Sequence, residues 1–165
     1  MLVSSLALSS CEDMMNIFSS NTDEGSNGLV YRLNPDGETC TLVGTQNCMD
    51  TNIVIPSYFN GKKVTAIDEF AFSEYGQCKI ENITIPKTVD LIHKHAFYKF
   101  NEANNRYISL HIDTITFKMP YPNPTPNGKY WNLLDFRSSL PETIFEFEDR
   151  TEYYEDGKGW ITKEK

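Results

Sequence analysis

Ile83-Thr84-Ile85-Pro86, then Val89-Asp90-Leu91-Ile92, then Ala96-Phe97, repeats an earlier stretch of the chain almost residue for residue. The earlier copy runs Ile53-Val54-Ile55-Pro56, Val64-Thr65-Ala66-Ile67 and Ala71-Phe72. A unit that recurs in sequence recurs in space, so this pattern governs the fold. Ile67 and Ile92 stand 25 residues apart, as do Phe72 and Phe97, whereas Ile55 and Ile85 stand 30 apart. The difference is an extra Phe59-Asn60-Gly61-Lys62-Lys63 loop in the first copy. Insertions that fall in loops while strand and corner keep their spacing indicate stacked repeats. A third strand, Ile112-x-x-Ile115-x-Phe117, matches Ile80-x-x-Ile83-x-Ile85 but has no Ala-Phe corner, so it reads as a worn terminal unit.

Within a unit, the two isoleucines of Ile83-Thr84-Ile85 point one way and Thr84 the other. Pro86 cannot donate to a ladder and ends the strand. The spacing of Val89, Ile92, Ala96 and Phe97 suits a short helical or 3₁₀ return. Leu29 to Val43 reads as a hairpin around the turn Asn34-Pro35-Asp36-Gly37. Tyr98 to Tyr107 reads as a polar helical extension or loop, and Trp131 to Phe136 as a short helix. Thr143 to Glu148 alternates as a strand, and Glu152 to Thr162 as a closing hairpin around Glu155-Asp156-Gly157-Lys158. The expected architecture is therefore mainly β with short helical turns. It is a leucine-rich solenoid of about three short parallel strands, closed by an N-terminal hairpin and a C-terminal strand and hairpin.

These residues resemble the BspA-like leucine-rich repeats of bacterial and some protist surface proteins. The likeness covers Leu29 to Phe117, including the Asp36-Gly37 hairpin and the Asn60-Gly61-Lys62-Lys63-Val64 loop. It departs from the pattern in its low repeat count, its worn third unit and an unmatched C-terminal third. The resemblance implies a cell-surface location and non-catalytic binding or adhesion, and it brings no catalytic residues.

The chain has 165 residues, room for about one domain with tails. A hydrophobic fraction of 39% suffices for a core, and a net charge of -8 repels phosphates, which argues against nucleic acid. No apolar run reaches the roughly 18 residues needed to span a bilayer. Residues 1–11 are apolar and small, and Leu8-Ser9-Ser10-Cys11 resembles a lipoprotein signal ending, with Cys11 as the lipid-attachment residue, although no Lys or Arg precedes it. Residues 12–27 read as a polar tether, 28–119 as the repeat domain with its hairpin, and 120–165 as a proline-rich excursion and cap. Besides Cys11, the chain has Cys40, Cys48 and Cys78, an odd set. Cys40 and Cys48 are near enough in sequence to bridge, but small buried hydrophobes are the favoured identity for two of the three.

Stacking the three strands names the outward rows. Asn52, Asn82 and Thr114 form one, and Val54, Thr84 and Thr116 the next. These rows offer amides and hydroxyls that suit a peptide or sugar, or that pair across strands. With the aromatic-rich C-terminal third, represented by Tyr121 and Trp131, they are the candidate partner-binding residues. His93-Lys94-His95 reads as a solvated turn, because two histidines at i and i+2 share a metal only on a strand. No ligand spacing, phosphate loop or nucleophile motif is present. No catalytic residue, metal or cofactor is expected. The expected function is a non-catalytic, monomeric, extracytoplasmic surface module, lipid-anchored through Cys11, that recognises a protein or carbohydrate. The alternative is a structural spacer or a capped fragment of a larger array.

Overall fold

The computed structural model describes residues 18–19, 25–46, 48–74, 79–121, 137 and 139–165. The expectations for Cys11, Cys78, Trp131 and the helix at 131–136, and for most of the tether and the proline-rich excursion, fall outside these residues.

The solenoid expectation is corrected by the sheets. The described strands form two mixed six-stranded sheets and a separate two-stranded one, curled as a half-barrel. The first sheet contains β1 (Phe18–Ser19), β2 (Val30–Leu33), β3 (Thr39–Gly44), β5 (Tyr58–Phe59), β6 (Lys62–Ile67) and β8 (Leu91–Ile92). The second contains β4 (Asn52–Val54), β7 (Ile80–Pro86), β11 (Ile112–Lys118), β12 (Ile144–Glu146), β13 (Arg150–Glu155) and β14 (Gly159–Glu164). The third is the hairpin of β9 (Tyr98–Asn101) and β10 (Arg106–Ser109).

The correction has a local cause. The spacing of Val89, Ile92, Ala96 and Phe97 allows a helical return, but Leu91–Ile92 forms β8 instead. In the equivalent Val64-Thr65-Ala66-Ile67, the residues Val, Thr and Ile are stiff at χ1 and favour extended backbone. The segment forms β6, which pairs in parallel with β3 on one side and β8 on the other. Tyr98 to Tyr107 is likewise no helical extension, since it builds β9 and the first half of β10. At both ends of the chain antiparallel hairpins join the parallel pairs, so neither large sheet is a uniform ladder.

The chain alternates between the large sheets from β3 to β8, and their inner faces share one core. Across the second sheet Ile53, Ile83, Ile115 and Phe145 lie in one parallel row, each at most 1% exposed. Ile85 pairs with Phe117, which stacks on Phe147 at 4.7 Å between ring centroids. Leu42, Ile67 and Ile92 form the corresponding row of the first sheet. Removing each such side chain from water contributes about 2 kcal/mol.

The corners stack as well. The Phe70 N–H donates to His95 O at 3.1 Å and the Phe72 N–H to Ala96 O at 3.2 Å. Main-chain bonds thus tie the corner after β6 to the corner after β8, while the buried Phe72 and Phe97 rings meet at 5.2 Å.

Candidate functional site

The exposed face of the second sheet carries the rows read from the sequence. Asn52, Asn82 and Thr114 are in register, as are Val54, Thr84 and Thr116. β12 extends them with Ile144 and Glu146. Much of the polar capacity of this face is already used. The Asn82 amide donates to Thr84 Oγ1 at 3.1 Å and accepts from the Thr116 hydroxyl at 2.9 Å. Asn52 donates to Glu81 at 2.9 Å. At one end of the face a shallow pocket of about 360 Å³ includes Val54 and Thr84, with Lys87, Lys118 and Glu148 among its lining. Tyr121 is only partly exposed. Its N–H donates to Asp149 at 2.7 Å, its ring meets Phe147 edge-on, and the Arg150 guanidinium lies over it at 4.5 Å. Tyr121 therefore packs against the margin of the core.

Cys40 and Cys48 are buried and free, so no bridge joins them. Burial pushes the Cys40 thiol up to about 11 and raises that of Cys48.

A second constellation lies on the stacked corners, where the sequence suggests only solvated turns. Glu69 stands in the corner after β6, and His93 and His95 in the corner after β8. His95 Nδ1 is 2.8 Å from Glu69 Oε1, and His93 Nδ1 is 3.9 Å from the same oxygen. The histidines reach the same carboxylate because the chain turns between them. The expectation that histidines at i and i+2 converge only on a strand does not hold for this turn, which brings both Nδ1 atoms toward one carboxylate oxygen. The usable signal is the repeat itself. Aligning Ile67 with Ile92 matches Glu69 to Lys94, whose two sequence neighbours are His93 and His95.

Aromatic rings surround this corner. Phe70, in the left-handed region at φ 57°, stacks on His95 at 5.7 Å and on Tyr107 at 4.2 Å. Tyr107 meets Phe100 edge-on at 5.1 Å, and Tyr98 meets His95 edge-on at 5.1 Å. Phe100, Tyr107 and Ile108 are 39%, 50% and 42% exposed. They ride on the β9–β10 hairpin, which pairs with neither large sheet among the described residues. Phe100 and Tyr107 pair across the strands on one face and Ile108 lies on the other, in a stretch whose composition reads as polar.

A third group surrounds His111. Its Nε2 lies 3.2 Å from Asp113 and its Nδ1 3.4 Å from Glu142, while Lys79 bonds Asp113 at 2.7 Å. The Lys79 hydrogen bond holds the Asp113 carboxyl below its usual range. A pocket of about 180 Å³ lies alongside, between His111 and Leu140. The Thr143 hydroxyl at this pocket donates to Ile112 O at 2.7 Å, so it is held by the backbone. Nothing in this ion-pair network supplies an activated nucleophile.

No protein family, curated protein or solved structure matches the chain.

Proposed function

We propose that this chain is a non-catalytic binding module displayed at the cell surface, and that it takes a protein or glycan partner. The observation that carries the reading is the exposed pair of aromatic rings, Phe100 and Tyr107, on one face of the β9–β10 hairpin. Aromatic rings give large contact area at low entropic cost, and Tyr adds a polar handle for a sugar or backbone. The likeness of the repeated units to BspA-like repeats and the lipoprotein-like Leu8-Ser9-Ser10-Cys11 support the surface location.

This reading moves the partner surface away from the Asn82 and Thr84 rows. Those side chains bond one another, which favours the structural-spacer reading for that face. The two readings part on one experiment. Purified chain would be applied to a panel of immobilised neutral oligosaccharides and extracellular-matrix proteins, beside a Phe100→Ser/Tyr107→Ser variant. A module binds at least one probe saturably and loses it in the variant. A spacer binds none, or binds equally in both.

A further inference from the structure

We propose that Glu69, His93 and His95 form a binding site for a divalent transition-metal cation of the zinc class, which joins two successive corners of the chain. The inference does not depend on the binding-module reading. One imidazole nitrogen from each histidine and one carboxylate oxygen lie within 4.8 Å of one another. A tetrahedral cation with bonds of about 2.0–2.1 Å needs its donors roughly 3.3 Å apart. His95 Nδ1 and Glu69 Oε1 are already closer than that, and His93 Nδ1 and the same oxygen slightly farther, at 2.8 and 3.9 Å. Side-chain rotations that draw the two imidazole nitrogens and the carboxylate oxygen to that spacing, from within 4.8 Å of one another, close the site.

The backbone is fixed where the site needs it. The bonds from the Phe70 N–H to His95 O and from the Phe72 N–H to Ala96 O hold the two corners in register. The His95 ring is oriented between Phe70, stacked with planes nearly parallel at 8°, and Tyr98, which it meets edge-on. The side chains of Glu69, His93 and His95 are 42%, 38% and 35% exposed, so a hydrated cation can enter. His93 Nδ1 accepts the backbone N–H of His95 at 3.3 Å, so its lone pair is held only by a long hydrogen bond within the turn. A bound cation takes that lone pair in place of the long hydrogen bond. Two imidazoles and one carboxylate select borderline ions such as Zn²⁺ or Co²⁺ over Ca²⁺ and Mg²⁺, which prefer all-oxygen sites. Three protein donors leave a fourth position for water or for an atom of a bound partner.

The test is calorimetric titration of the tag-free, EDTA-treated full chain with ZnCl₂, with visible absorption of added Co²⁺ as a second probe. The expected result is saturable 1:1 binding, the absorption of tetrahedral Co²⁺, and a rise in Tm with Zn²⁺. His93→Asn and His95→Gln should each weaken binding at least tenfold and abolish the Tm rise, as should Glu69→Gln, which keeps the side-chain shape. His111→Asn should bind as the unaltered chain does. Absence of saturable binding, equal binding in the unaltered chain and the Glu69 and His95 variants, or loss confined to His111→Asn would overturn the proposal.

Discussion

The Arg137 guanidinium pairs with the Glu152 carboxylate where Glu152 is almost wholly buried, 5% exposed. Arg137 also lies over the Trp160 ring at 4.4 Å, and Trp160 meets the buried Phe145 edge-on at 5.7 Å. One charged pair thus ties the segment before β12 to the last hairpin and to the end of the core. Breaking such a pair strands a charge away from water, which costs more than the pair contributes. Arg137→Ala should destabilise the fold by about 3–5 kcal/mol, whereas joint Arg137→Met and Glu152→Leu should recover much of that. Denaturant unfolding of the single and double variants beside the unaltered chain decides it. A single-variant loss under about 1 kcal/mol, the range of exposed pairs, would mean that water reaches Glu152.

The two faces of β7 should respond oppositely. Ile85 is 0% exposed in the shared core, and Asp at that position would have no partner there. Ile85→Asp should leave the chain unfolded at room temperature by circular dichroism. Thr84 faces outward, and its hydroxyl accepts one bond from Asn82. Thr84→Ala should cost about 1 kcal/mol or less. Similar melting of the two variants would contradict the assignment of faces.

Pairing of the repeated strands was legible because side chains alternate with period two. Ile53, Ile83 and Ile115 had to share one face, and a slip by one residue would have turned all three into water. The closing hairpin was legible from its turn, Asp156-Gly157 between two β-forming runs. The parallel pairing in the first sheet, built on β6, was not. Val64 to Ile67 fits a helical return and a strand equally well by spacing, and only its β-branched composition separates them. Of the candidate residues, the two rows were placed by alternation. The meeting of Glu69 with His93 and His95 required knowing how corners stack, which periodicity within one segment does not contain.

The loop Asn60-Gly61 carries a stronger signal than that of a plain insertion. Tyr58 pairs with Lys63 and Phe59 with Lys62, so the two residues between them close a tight hairpin. Asn60 and Gly61 have φ of 48° and 75°, the paired positive values of a type I′ turn. Gly61 has open space around its Cα, so a substitution there tests backbone conformation alone. Gly61→Ala should destabilise by about 1 kcal/mol through the left-handed penalty, while Asn60→Gly should be nearly neutral. Equal unfolding midpoints for Gly61→Ala and the unaltered chain would rule out that turn.

Two titrations should bound the stable pH range from opposite sides. Asp36 lies below its ordinary value because the Thr39 hydroxyl and the N–H groups of Thr39 and Glu38 donate to its carboxylate. Its contribution is present above the unfolded carboxylate value and is lost as pH falls through the lower folded value. Cys40 is displaced the other way, from 9.0 to about 11, by burial first and by the Asp36 charge second. Its contribution is complete below 9.0 and is lost as pH rises toward 11. Asp36→Asn should flatten the acid limb of the stability curve, and Cys40→Ala the alkaline limb. In a Cys11→Ser/Cys78→Ser background, native chain at pH 8 should react with a thiol reagent only as fast as it opens. Immediate labelling would contradict the burial of Cys40 and Cys48.

Tyr31 gives the sharpest test of the first sheet. Its ring is 1% exposed and stacks on Phe59 at 4.3 Å, packing that the phenyl of Phe would keep. Its hydroxyl is buried without a hydrogen-bond partner among the described residues, and burial raises its pKa strongly. A buried donor left unmatched opposes folding by about 1–3 kcal/mol. Tyr31→Phe should therefore be neutral or stabilising, by up to about 2 kcal/mol, although most core substitutions destabilise. Tyr31→Ala, which also removes the stacked ring, should cost about 3–5 kcal/mol. Unfolding midpoints of the two variants separate ring from hydroxyl. A loss above about 1 kcal/mol in Tyr31→Phe would show that the hydroxyl is bonded and that this corner of the core is arranged differently.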